Sequence, residues 1–259
     1  MRANSLLRRS LIDLGTAAFW IGLWYGVAVA VDQVILIPTP WLVLQTLGKL
    51  VLTPLFWRSV GLSLLRVCTG FAVALAVGSL FAVLTARYAA LRALLSPVLH
   101  IVRAAPVASF IIITLVWIRY QWVPVFISFL MVLPIAWINV EQGIRETDPQ
   151  LLEMASLYRL SFSKRFWKIY VPSVKPFFLT AAVNGLGFAW KSGVAAEVIC
   201  RPDFSIGKQL QDAKVYFETP EVFAWTAVVV LLSLLLERLL LRVTASASTR
   251  KEKTSHANI

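Results

Sequence analysis

Long charge-free runs govern what this chain can fold into. Leu14–Val31 holds eighteen residues without a charge, and Val67–Thr85 and Trp122–Val140 hold nineteen each. A helix needs about 20 apolar residues to cross roughly 30 Å of hydrocarbon, and runs this long and unbroken do not suit a soluble core. The composition agrees: 59% of residues are hydrophobic and 15% charged, against about 45–50% and about 25% in ordinary soluble domains. The sequence reads as an all-α polytopic membrane protein.

Three weaker segments complete the pattern. The fifteen uncharged residues between Arg103 and Arg119 are short for a span, so this helix is expected to begin near Ser96-Pro97 and to be kinked at Pro106. A fifth run extends from Phe177 to about Cys200, interrupted by Lys191 and Glu197, and a sixth from Val222 to near Leu241, with Glu237 and Arg238 at its far end. The first run follows MRANSLLRRS, a start like that of a signal peptide. It exceeds a signal core of about 7–15 residues and reads as a retained span. About six transmembrane helices are expected.

The net charge of +12 would suit nucleic acid, but the positions of the charges assign it to topology. With six spans, sixteen Lys and Arg fall on the side holding both termini, the 86–95 loop and the 141–176 segment, and six fall on the other. The positive-inside rule makes the first side, with the N and C termini, cytoplasmic. The chain is expected to be a single domain over 1–259, with a core of about 55–245 and a polar tail at 243–259. The tail after Leu241 reads as a frayed end. Residues 32–60 read as an outer connection with a short amphipathic helix. Cys68 and Cys200 lack metal-ligand spacing and read as buried free thiols.

Ten charged side chains crowd between Glu141 and Lys175. Asp148-Pro149 is a helix start, Asp accepting first-turn N–H groups and Pro suiting the first position. Leu151, Leu152, Ala155 and Tyr158 then recur at helical spacing as one apolar face. Ser161 or Ser163 is placed to cap a second helix, KRFWKIYV, which Pro172 ends. An apolar face on a cytoplasmic helix needs a partner to cover it.

Glu153-Met154-Ala155, with Ile169-Tyr170-Val171-Pro172 closing nineteen positions after the Glu, resembles the "EAA" signature of ABC importer permeases. Met154 replaces the usual first Ala. Arg159 stands where the family has a Gly that favours a left-handed turn, a conformation Arg disfavours. Ala189-Trp190-Lys191-Ser192-Gly193-Val194-Ala195-Ala196-Glu197 and Ile206-Gly207 are similar to the fifth-span region of the nitrate/sulfonate/taurine branch. The resemblance covers roughly residues 60–240. It implies a type I (MetI-like) permease fold in the bacterial inner membrane and coupling to an ATPase through Leu152, Glu153, Met154, Ala155, Ser156, Leu157, Tyr158 and Arg159. It further implies two ATP-binding-cassette subunits carrying ATP and Mg, a second permease copy (identical or a close paralogue), an extracytoplasmic binding protein, and a small anion such as a sulfonate, taurine or nitrate as cargo. No cofactor is implied for this chain.

The chain itself lacks the residues to hydrolyse ATP. The nearest P-loop candidate, Ile206-Gly207-Lys208-Gln209, has Pro202 at the first Gly and Gln at the hydroxyl position. With only two histidines, His100 and His256, and no H-E-x-x-H or G-x-S-x-G, an intramembrane enzyme lacks its groups. An ATP-independent secondary transporter or channel is the rival class, and it leaves the charged segment without a purpose. Asn184, Lys191, Ser192 and Glu197 are candidate pathway residues or else structural ties. Charge within a span usually faces protein or water, and Glu197, nearer the outer surface, reads as structural. Asn184 and Ser192 offer hydrogen bonds either to a solute or between helices. Lys191 and Glu197 lie about 120° apart around a helix and roughly 9 Å along it, so either the helix breaks at Gly193 or each has another partner.

Overall fold

The computed structural model describes the backbone from Arg2 to His256 and side chains from Leu14 to Arg242. Among the described residues the regular structure is helix throughout, with no strand. In chain order the first helices are α1 (Arg2–Val31), α2 (Pro40–Val51), α3 (Pro54–Arg87), α4 (Ala89–Ala104), α5 (Val107–Trp117) and α6 (Val123–Arg145). After them come α7 (Pro149–Leu157), α8 (Phe162–Arg165), α9 (Val171–Cys200), α10 (Ile206–Val215) and α11 (Thr219–His256).

The connection at residues 32–60 holds its expected short helix. Thr39 caps α2, its hydroxyl accepting from Leu42 N at 3.4 Å, and Pro40 opens the first turn. Thr53 and Pro54 repeat the device at α3, with Phe56 N on the Thr53 hydroxyl at 3.3 Å. That second cap starts α3 thirteen residues before Val67, so the helix has 34 residues and a length of about 51 Å, well beyond the hydrocarbon thickness.

Small residues set the packing. A Cβ on Gly70 would meet Val125 O at 2.3 Å, and one on Gly78 would meet Ala136 Cβ at 2.7 Å. Farther along, Trp137 Nε1 donates to Thr85 Oγ1 at 2.9 Å. Position numbers rise together on both helices, so α3 and α6 run parallel at close approach. Against α6, α9 runs antiparallel: Gly143 meets Phe177, Gly185 meets Val132, and Ser128 Oγ donates to Ala189 O at 3.2 Å.

Two parallel neighbours require the intervening chain to recross the bundle, and α4 with α5 does so. Arg92 of α4 pairs with Glu141 near the C-terminal end of α6. Tyr120, just past α5, donates to Asp203 Oδ2 at 3.2 Å beyond the C-terminal end of α9. Between them α4 and α5 bend by 110°. The expected kink at Pro106 is instead a full break: Ala105 is extended at ψ 141, as the residue before proline prefers.

Four segments are long and apolar enough to cross a membrane (Leu14–Val31, Pro54–Arg87, Val123–Arg145 and Thr219–Arg242), and the bent pair makes five. The sixth expected span, α9, misses only on composition, since it packs antiparallel along α6. It has 30 residues but carries Asn184, Lys191 and Glu197, which lower its apolarity. α11 continues to His256 instead of fraying at Leu241, since no Gly or Pro interrupts it after Pro220. The last three residues of the tail lie outside the described residues. Cys68 and Cys200 are unbonded and partly buried.

Candidate functional site

Asp148 caps α7 as its position suggests, its carboxylate accepting from Gln150 N at 2.8 Å. The helix closes in a Schellman turn: Leu160 N donates to Ala155 O at 2.9 Å and Arg159 N to Ser156 O at 3.0 Å. Arg159 sits at φ 47, in the left-handed conformation a glycine takes without cost. The turn therefore forms despite the substitution, held by its two backbone bonds.

The expected apolar face is divided. Ala155 is fully buried and Leu152 half-buried, whereas Met154, Leu157 and Tyr158 point outward at 44%, 81% and 76% exposure. Glu153, Ser156 and Arg159 are exposed beside them. Leu152 and Ala155 thus seat α7 on its own chain, and Met154, Leu157 and Tyr158 form a bare ridge. This replaces the single stripe of Leu151, Leu152, Ala155 and Tyr158.

Beyond Ser161, which gives no side-chain cap bond, α8 passes into a π-turn at Phe166–Tyr170 and then into α9. Pro172 does not end a helix. It lies in the first turn of α9, and the residues at both junctions are helical. Its missing N–H removes one i→i−4 bond, and just before it Val171 N–H reaches Phe166 O, five residues back. The helical path is continuous from Phe162 to Cys200.

On α9 the four candidate pathway residues separate into two groups. Asn184 and Lys191 are exposed and line one cavity of about 390 Å³ with Phe188 and Trp190, closed on the other side by Ser233 and Glu237 of α11. Ser233 and Glu237 were not among the sequence candidates. A carboxylate inside an apolar run was the available signal, obscured because Glu237 lies near the end of that run.

Ser192 is buried and donates to Phe188 O at 2.8 Å. Glu197 is fully buried and binds three groups. Ser63 Oγ donates to its carboxylate at 2.7 Å, Gly207 N at 3.3 Å and Arg66 Nη1 at 3.4 Å. Arg66 also donates to Asp203 O at 2.8 Å and Phe204 O at 3.2 Å, and Ser63 accepts from Ile206 N at 3.0 Å. The junction ties α3, α9 and the start of α10 together. Helix α9 is unbroken at Gly193, so Glu197 takes its partner from α3 and not from Lys191. Among the described residues no group of three or more His, Cys, Asp or Glu is placed to hold a metal.

Known proteins share this architecture. A sequence profile of the family described as "Binding-protein-dependent transport system inner membrane component" matches residues 74–247. A probable ABC transporter permease protein of Brucella melitensis is 28% identical over 92% of this chain and 96% of its own length. The taurine transport system permease protein of Escherichia coli is 23% identical over 90% of this chain and 86% of its own. The crystal structure of an amino acid ABC transporter with histidines superposes with a TM-score of 0.59 at 16% identity, covering 79% of this chain and 97% of that one, which shows a shared fold. The chain belongs to the binding-protein-dependent transport system inner membrane component family, as a multi-pass permease subunit of an ABC importer and not itself an enzyme.

Proposed function

We propose that this permease carries a small anion such as a sulfonate, taurine or nitrate past Asn184 and Lys191, driven by a separate ATPase that grips α7. Both termini and the 141–176 segment then face the cytoplasm. Two ATP-binding-cassette subunits supply ATP and Mg, a second permease copy completes the pathway, and a binding protein outside delivers the cargo. Ser192 and Glu197 act here as structural ties, holding α9 to itself and to α3 and α10.

The observation that carries this reading is the single helical path from Phe162 to Cys200. It starts just past the four-residue turn at 158–161 that closes α7 and ends beyond the cavity. Force on the bare ridge of Met154, Leu157 and Tyr158 therefore crosses one short hydrogen-bonded turn and then reaches the cavity wall through helix. A rigid linkage transmits displacement where a loose one absorbs it.

The test is uptake into proteoliposomes containing the permease, its ATPase and the binding protein. Leu157→Asp is expected to abolish both co-purification of the ATPase and ATP-driven uptake. Uptake that persists without any ATPase would instead identify a secondary transporter or channel.

A further inference from the structure

Helix α4 is a rod between two joints. An extended residue sets off each end, Tyr88 at ψ 105 and Ala105 at ψ 141, and none of the sixteen residues between them is buried. Leu95 and Leu99 rest against Ala82 of α3 and Trp137 and Val140 of α6. Arg92 supplies the remaining hold: among the described residues no other side chain of α4 makes a hydrogen bond or ion pair.

The acceptor of that hold, Glu141, is itself fixed. Its carboxylate accepts from Thr85 Oγ1 at 3.1 Å and from Arg145 Nε at 3.2 Å, and Thr85 Oγ1 in turn accepts from Trp137 Nε1 at 2.9 Å. Arg92 Nη2 donates to the same carboxylate and to Thr85 O at 3.2 Å, so the guanidinium bears on α6 and on the end of α3 at once. Its Nε is buried without a partner. A grip through one terminal nitrogen lets the helix turn about it, where a bidentate fork would fix the angle.

Glu141 also stands close to where the motor pushes. It precedes Asp148, the cap of α7, by seven residues. Between them Glu146 N donates to Gln142 O at 2.9 Å, and the buried Thr147 donates through Oγ1 to Gly143 O at 3.2 Å. Helix α6 thus passes into α7 through a bonded turn and not a slack loop.

We infer that Arg92 and Glu141 are positioning residues that pass the displacement of α7 through α6 to α4, and so move the bend at Ala105-Pro106 during transport. The inference rests on the reading that an ATPase grips α7, and it adds a second path beside that through α9. The lever is long. Ala104 lies sixteen residues from Tyr88, about 24 Å along α4, so a tilt of about 10° shifts it by about 4 Å.

The experiment uses the purified permease–ATPase complex in lipid nanodiscs, with Cys68→Ala and Cys200→Ala to clear the native thiols. Nitroxides are placed on Val73→Cys of α3 and Ala104→Cys of α4, both exposed positions. Pulsed electron resonance measures their separation with and without ATP–vanadate. A second pair, Val73→Cys with the exposed Ser163→Cys, reports on α8 at the foot of the α9 path. In the otherwise native chain both distances are expected to shift on trapping, the α4 pair by ~2 Å or more. Glu141→Gln and Arg92→Gln abolish the α4 shift while keeping the α8 shift and the bound ATPase. Arg92→Lys, which keeps a cation at the clamp, restores part of it. An α4 shift that survives both Gln variants, even with a lowered melting temperature, shows a role in stability alone and overturns the inference. So does an α4 pair that stays still while the α8 pair moves. If neither pair moves in the native chain, the motor reading itself falls and the inference falls with it.

Discussion

A Cβ built on Gly207 would stand 2.4 Å from the Cβ of Glu197 and 2.4 Å from Val198 N. The first turn of α10 therefore lies flush on the last turns of α9, close enough for Gly207 N to reach the Glu197 carboxylate at 3.3 Å. Any side chain at 207 meets backbone, which cannot swing aside. Gly207→Ala is expected to destabilise the permease by about 1–3 kcal/mol or more, measured as thermal unfolding in detergent. An unchanged melting temperature would show that α10 is free to lift from α9.

The same junction predicts an asymmetry between its charged partners. Glu197 is fully enclosed, whereas the Arg66 side chain keeps 14% exposure. Arg66→Leu leaves a buried carboxylate without its cation and is expected to cost about 3–5 kcal/mol. Glu197→Gln leaves an arginine that still holds the Asp203 and Phe204 carbonyls and reaches water. Its cost is expected nearer about 1–3 kcal/mol, that of an unsatisfied buried group. Denaturant unfolding of both variants checks the order, and the reverse order would contradict the account.

The residues that fix this junction also show how far a sequence alone can be read. Charge-free runs reveal spans because the bilayer imposes one length on each, and Asp148-Pro149 reveals α7 because capping is local chemistry. The break at Pro106 was visible as a proline, but its 110° angle depends on packing against α6 and α9. The inward turn of Ala155 is likewise set by the surface α7 rests on, which no helical periodicity encodes. Glu197 and Arg66 are 131 positions apart, and their pairing requires α3 and α9 to be brought together first. Glu237 escaped notice because it shares a cavity with Asn184 and Lys191 only once α11 is packed beside α9.

Arg159 offers a test of strain. Its φ of 47 places a Cβ in a conformation that costs about 1–2 kcal/mol for an L-residue. Arg159→Gly is expected to raise stability by about 1 kcal/mol, the gain being offset in part by the greater freedom of glycine in the unfolded chain. ATP-driven uptake should be retained, since the Schellman turn itself is unchanged. Arg159→Val, with a branched Cβ, should lower stability.

The loop between α9 and α10 carries a pH dependence of definite sign. The Lys208 ammonium, bonded to Asp203 at 2.8 Å, leads in holding that carboxyl below its ordinary value, with a bond from Tyr120 adding to it. A carboxyl depressed in the folded state stabilises it above the unfolded value near about 4, and that stabilisation disappears as pH falls through the lower folded value. Melting temperature measured downward from pH 5 should fall more gently in Asp203→Asn than in the native chain. The difference will be small, because Asp203 is exposed and solvent screens it.

On α7 an effect on stability and an effect on the proposed coupling should separate. Ala155 is fully buried while Leu157 is 81% exposed, two residues away on the same short helix. Ala155→Asp forces a charge into an enclosed site, so the isolated permease should melt lower before any ATPase is added. Leu157→Asp adds a charge to solvent and should leave that melting unchanged, yet the ATPase should no longer co-purify. Glu153→Ala also lies on the exposed side and should follow the Leu157 pattern. Melting of the permease alone, set beside retention of the ATPase on an affinity column, distinguishes the two effects. If Leu157→Asp keeps the ATPase bound, the bare ridge is not what the motor grips, and the continuous helix from Phe162 has nothing to transmit.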